Sequence, residues 1–189
     1  RQGRKVLLVG HRGHQEVRGT MGQINMTLID DTSPTDLPDW DSDQDIAVLT
    51  QTTLSVGDTA RAIQAIKDRF PAALVRNDIC YATTNRQEAV TKMAADVDLV
   101  LVIGAQNSSN CNRLREVAEA LGVPAHLING PEEIDPAWLV GRTKVGVTSG
   151  ASTPEVLVES VIQALSPEKV THLTGVEEDV SFTLPKELR

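Results

Sequence analysis

Four stretches of the chain set small polar side chains directly behind a run of branched aliphatic ones. VLLVG runs into HRGHQE (11–16), and IAVLT into QTTLS (51–55). LVLVIG runs into AQNSSN (105–110), and VGVT into SGASTP (149–154). In an open α/β sheet, ligands sit outside the carboxyl ends of the strands. Helix N-termini there offer free N–H groups and roughly half a positive charge. Hydroxyls and amides add donors without net charge, so several such turns facing one cleft would suit a phosphate or diphosphate. Ser55 or Ser152 alone could be no more than a helix cap. Ser108, Ser109 and Asn110 in a row exceed what one cap requires.

Three further residue types could do chemistry. His11, His14 and Glu16 follow the first apolar run. A zinc site needs three or four ligands, and no further His or Cys lies close by in sequence. Acid–base work fits better, with Glu16 beside an imidazole and an anion delivering a proton. The alternative is that Glu16 caps a first helical turn while His14 packs. Cys80 opens CYATTNR, and its spacing to Arg86 is that of a cysteine phosphatase loop. Such loops lean on glycines, and YATTN has none. Cys80 could instead ligate a metal or cluster, or be an inert buried thiol. Cys111 falls within a helical stretch and reads as packing.

The elements that must position these residues follow from periodicity. Apolar runs at 5–10, 26–30, 45–50, 98–104, 125–129 and 144–148 are mostly continuous, as in strands buried on both faces of a parallel sheet. Stretches 55–70, 85–97, 109–121 and 153–165 repeat apolar residues at helical spacing. Val56, Ile63, Ile66 and Phe70 would line the first of these helices. Gly122 reads as a C-cap, and Ser152 with Glu155 and Thr84 with Gln87 as capping boxes. The alternation predicts an α/β fold built from two similar parallel-sheet domains. Their expected bounds are 1–77 and 78–172, with a tail at 173–189 whose VSFTLP segment is an edge strand. The aspartate-rich stretch 31–45 reads as a solvated loop. Asp39, Asp41 and Asp43 mimic a calcium loop, but Gln44 and Thr50 stand where that loop needs Gly and Glu.

Composition closes off several classes. The chain has 189 residues with formal net charge −8, which argues against a nucleic-acid surface. Two cysteines make no disulfide framework, so a cytoplasmic setting is expected. No apolar run reaches the ~20 residues of a membrane span, and none resembles a signal peptide.

Taken together, GHRGHQEVRGTMGQ (10–23), TQTTLSV (50–56), DICYATTNRQEAV (78–90), NSSNCNRL (107–114) and GVTSGASTPE (146–155) resemble 4-hydroxy-3-methylbut-2-enyl diphosphate reductases. These iron–sulfur enzymes end the methylerythritol phosphate route to isoprenoids. The resemblance implies the second and third of three α/β domains arranged with pseudo-threefold symmetry around a [4Fe-4S] cluster. It implies reductive dehydroxylation of an allylic diphosphate to isopentenyl and dimethylallyl diphosphate, with ferredoxin or flavodoxin as electron donor. Residue by residue, it makes Cys80 a cluster ligand and Glu16 the proton-supplying acid. His14, Thr52, Ser108, Ser109, Asn110 and Ser152 become the substrate's polar surroundings. It also implies that the family's first domain, with two cluster cysteines and two histidines, is absent, so that this chain is inactive alone. Two other readings stay open: a phosphatase using Cys80 and Arg86, and a non-catalytic diphosphate-binding module.

Overall fold

A computed structural model describes residues 3–76 and 78–173. Seven strands form two sheets, and every strand pair within them is parallel. The first sheet holds β1 (Lys5–Gly10), β2 (Thr27–Asp30), β3 (Ile46–Thr50) and the two-residue β4 (Leu74–Val75), in the order β2-β1-β3-β4. The second holds β5 (Leu99–Ile103), β6 (Ala125–Ile128) and β7 (Val145–Ser149), in the order β6-β5-β7. The fold is α/β, as the alternation predicts.

Helices join the strands. They are α1 (Gln15–Met21), α2 (Val56–Arg69), α3 (Tyr81–Ala94), α4 (Ser109–Ala120), α5 (Pro136–Leu139) and α6 (Glu155–Leu165). A 3-10 turn spans Pro131–Glu133. The chain leaves the first sheet after β4 and enters the second at β5, with α3 between them.

β5 shows why its sequence is continuously apolar. All five of its residues are buried. Val100 and Val102 join a core with Val90, Met93, Leu114 and Ala118 from α3 and α4. Leu99, Leu101 and Ile103 face a second core with Val161 of α6 and the partly buried Trp138. Each fully buried aliphatic side chain contributes about 1.5–3 kcal/mol, so helices cover both faces. The first sheet packs Leu7, Val9, Ile29, Ile46 and Val48 against Ala62 and Ile66 of α2 and against Phe70, its C-cap.

Several local expectations shift. The buried face of α2 is Thr59, Ala62 and Ile66, while Val56 at its first position is 39% exposed. α3 starts at Tyr81, several residues before the expected 85, so Thr84 lies inside it and caps nothing. Gln87 instead turns to α2, accepting from Val56 N (3.0 Å) and donating to Leu54 O (2.9 Å). The N-cap of α6 is Pro154 without a side-chain bond, so Ser152 and Glu155 form no capping box. The loop 31–45 is only partly solvated: Asp31 is buried, and Leu37 and Trp40 pack on the first core. Arg69 Nη2 holds that loop through Trp40 O at 2.6 Å. The expected edge strand at 180–185 lies outside the described residues.

Both sheets are doubly wound. The chain passes from β1 to β2 on one side, then crosses to β3 on the other. From β5 it goes to β6 and crosses back to β7. Each crossing opens a crevice at the strand carboxyl ends, where such sheets take ligands.

Candidate functional site

The first crevice lies between the ends of β1 and β3. Gly10 closes β1, and a Cβ there would come within 2.6 Å of Val17 Cγ2 and 3.3 Å of Gln51 Oε1. Only glycine lets α1 and Gln51 approach this closely. His14 is the N-cap of α1, and its Nδ1 accepts from Glu16 N at 3.3 Å. Glu16 is therefore not the cap. Its Oε1 accepts from Thr52 N at 2.8 Å, on the turn after β3. Thr52 O in turn accepts from Cys80 N at 3.0 Å. One backbone unit thus ties Glu16 to Cys80.

Cys80 is the N-cap of α3, half-buried, with no side-chain cap bond. The residues that would curl around phosphate in a cysteine phosphatase are here the first turns of that helix. Arg86 Nη1 donates back to Ala82 O at 3.1 Å. The Cys-x5-Arg spacing therefore forms no phosphate loop.

The second crevice brings the serines. Ser108 caps α4, its Oγ accepting from Cys111 N at 3.3 Å. Ser109 Oγ accepts from Thr53 Oγ1 at 2.9 Å, and Gln51 Nε2 lies 3.5 Å away. Asn110 is buried, and among the described residues neither its Oδ1 nor its Nδ2 has a partner. A buried amide without partners costs about 1–3 kcal/mol. Gly150 lies beside it: a Cβ built there would sit 3.9 Å from Asn110 Nδ2. Ser152, two residues further on, is exposed in the turn before α6.

Cys111 packs rather than reacts. It is 1% exposed, and a Cβ at Gly104 or Gly150 would meet its Sγ at 2.4 Å. Among the described residues, the chain thus presents one cleft thiol, Cys80. As a donor it suits an iron–sulfur cluster, which is held by thiolates. A single thiolate would be one ligand of such a set.

Sequence reasoning passed over several residues that assemble the site. Gln51 is 2% exposed, accepts from His11 N at 2.9 Å and donates to Thr53 Oγ1 at 3.0 Å. Asp31 joins two side chains: His11 Nδ1 lies 3.1 Å from its Oδ1, and Arg113 Nη2 pairs with its Oδ2. His11, Asp30 and Asp31 bring ligand atoms within 4.8 Å of one another. Arg12 and Arg113 balance the two carboxylates, at 3.3 Å for Arg12 and Asp30, so no cation is called for. Partial burial pushes the Asp30 carboxyl up. Hydrogen bonds from Thr32 and the charges of Arg12 and His11 outweigh it, and hold it below its usual range.

Fold and site together define a doubly wound α/β protein in which the turn after β3 meets α4 through Thr53 and Ser109 and meets Cys80 through the Thr52 backbone. A family model described as "LytB protein" matches residues 1–166, and the chain belongs to that family. It is 48% identical over 199 residues to 4-hydroxy-3-methylbut-2-enyl diphosphate reductase of Glaesserella parasuis. It is 51% identical over 196 residues to the protein of that name from Azoarcus sp.. These matches cover 100% of this chain and 63% and 62% of the relatives, so the chain spans less than two thirds of their length. The solved structure of the E-1-hydroxy-2-methyl-but-2-enyl-4-diphosphate reductase from Plasmodium falciparum superposes with TM-score 0.91 at 32% identity. That match covers 97% of this chain and 61% of the other. No helix among the described residues is long and apolar enough to cross a membrane.

Proposed function

We propose that this chain supplies the diphosphate cleft, the proton donor and one cluster ligand of a 4-hydroxy-3-methylbut-2-enyl diphosphate reductase. The observation that carries the reading is the backbone of Thr52. Its N–H holds Glu16 at 2.8 Å, and its carbonyl holds the Cys80 amide at 3.0 Å. An acid and a cluster ligand must lie side by side where a hydroxyl is lost.

The anion donors are poised by what they already accept. Ser108 Oγ accepts from Cys111 N and Ser109 Oγ from Thr53, so each keeps its own O–H to give. His14 Nδ1 accepts from Glu16 N, which puts the proton of the neutral ring on Nε2. Asn110 adds a buried amide with four unused hydrogen-bonding positions. Ser152 closes the ring from the turn after β7. These neutral donors bind a diphosphate without a dedicated lysine.

The reaction removes the allylic hydroxyl as water: the alcohol, two electrons and two protons give the alkene diphosphate and one water. Hydroxide is a poor leaving group, so an acid must reach its oxygen. Glu16 is that acid, with Oε1 fixed by Thr52 N and Oε2 left for the substrate. The Thr52 side chain lies at the same corner. A [4Fe-4S] cluster with Cys80 among its ligands would supply the electrons and a Lewis-acidic iron. A ferredoxin or flavodoxin would feed it, in the cytoplasm. With one cleft thiol, this chain by itself holds no stable cluster and turns over no substrate.

The test is a full-length protein carrying these residues, purified anaerobically. It should be brown, contain iron and sulfide, and dehydroxylate the allylic diphosphate when given a low-potential one-electron donor. Cys80→Ser should lose iron. Glu16→Gln should keep substrate affinity and lose about 10²-fold or more in kcat. A colourless, iron-free preparation contradicts the proposal.

A further inference from the structure

Asp31 ends the first crevice on the β2 side. Its carboxylate is 2% exposed, and its backbone N–H donates to Gly10 O at 3.3 Å. Oδ1 faces His11 Nδ1, while Oδ2 receives Arg113 from the other sheet's helix, 82 residues away in sequence. Arg113 lies four residues beyond Ser109 on α4, so the two are one turn apart on one face. Its guanidinium also lies 3.5 Å from Asp58 Oδ2 in the first turn of α2 and 2.7 Å from Glu116 Oε2.

We propose that Arg113 and Asp31 form a latch between the two sheets that fixes the first turn of α4 against the turn after β3. Both are then positioning residues for the anion cleft, an inference that rests on the cleft's taking a diphosphate. Three carboxylates already face the Arg113 guanidinium, which is only 17% exposed. It is committed to them and does not reach for phosphate. Its effect passes through place: it holds Ser108, Ser109 and Asn110 where Thr53 and Gln51 meet them. A planar fork suits this task because it bonds several carboxylates in fixed directions. A buried ion pair is weak evidence for stability, and setting a register is its best-attested use. The neutral hydroxyl contact of Thr53 with Ser109 is a second, softer tie across the same seam.

The test uses this chain. Removing one charge would strand the other in the interior, so the informative variant removes both, Asp31→Asn with Arg113→Met. It should stay folded, with a melting temperature near that of the starting chain. The amides of Cys111 and Asn112 should nevertheless exchange with deuterium about tenfold faster, against the Leu101 amide in β5 as reference. Inorganic pyrophosphate should bind about tenfold more weakly. Should the double variant unfold, Arg113→Lys, which keeps charge and loses the fork, must still speed that exchange. Exchange within about twofold of the starting chain, in whichever of these variants is folded, overturns the latch. If the unaltered chain fails to bind pyrophosphate, the diphosphate reading fails, and the exchange rates still decide the latch.

Discussion

Thr53 Oγ1 donates to Ser109 Oγ at 2.9 Å, joining the turn after β3 to the first turn of α4. A hydroxyl that accepts from one side is left to donate on the other. This one contact therefore ties the two sheets together and leaves the Ser109 O–H free of that bond. Ser108 accepts from Cys111 N within its own helix and likewise keeps its O–H to donate. Ser108→Ala should weaken pyrophosphate binding by about 1–3 kcal/mol, read by calorimetry. An unchanged affinity would remove Ser108 from the donor set.

Asn110 carries a trade between binding and stability. Its amide is buried, with neither polar atom paired among the described residues. Asn110→Ala should leave the ligand-free chain at or above the melting temperature of the unaltered one, because an unmet desolvation cost of about 1–3 kcal/mol disappears. The same variant should bind pyrophosphate at least about tenfold more weakly. A clear drop in melting temperature with full affinity would mean that the amide is there for packing.

Cys111 marks a packing limit. Its sulfur fills the gap left by Gly104 and Gly150, each of which would put a Cβ 2.4 Å from it. Cys111→Ser, smaller and polar, should be tolerated with a loss of about 1 kcal/mol. Cys111→Leu should cost about 1–3 kcal/mol or more through overpacking. Urea unfolding compares them directly, and equal midpoints would show that the turns can yield.

Much of this arrangement is legible in the sequence. The six longer strands sit where continuous Val/Ile/Leu runs place them, because strands buried on both faces leave that mark. The seventh, Leu74–Val75, is too short to leave a period. α1 was missed because QEVRGTM buries only Val17 and has no apolar stripe. Serines 108 and 109 announce themselves by exceeding a cap's needs. Gln51, Asp31 and Arg113 do not, since their roles arise from partners 58 to 82 residues away that only the folded chain supplies. Asp31 in particular hides in an acidic loop whose other members Asp39, Asp41 and Asp43 are exposed.

Away from the cleft, His126 on β6 stacks on Trp138 of α5, with ring centroids 3.7 Å apart and planes 9° from parallel. Burial holds the imidazole below its ordinary value of 6.5, against the opposing pull of Glu119 and Asp135. The unfolded chain therefore binds this proton more readily. Stability from this group is complete above about pH 6.5 and falls as pH drops through the lowered folded value. His126→Phe keeps a stacked ring and removes the titration. Thermal melts should show the unaltered chain losing more stability than this variant between about pH 7 and 5. Parallel losses would assign the acid sensitivity elsewhere.

The central claim is that two strand-end crevices make one diphosphate cleft. Amide chemical shifts of the isotope-labelled chain during a titration with inorganic pyrophosphate test it most directly. Saturable shifts are expected at residues 14–16, 52–53, 109–112 and 150–153, with a Kd of about 1 mM or tighter. Silence at those positions, or binding that maps to the opposite ends of the strands, would contradict it.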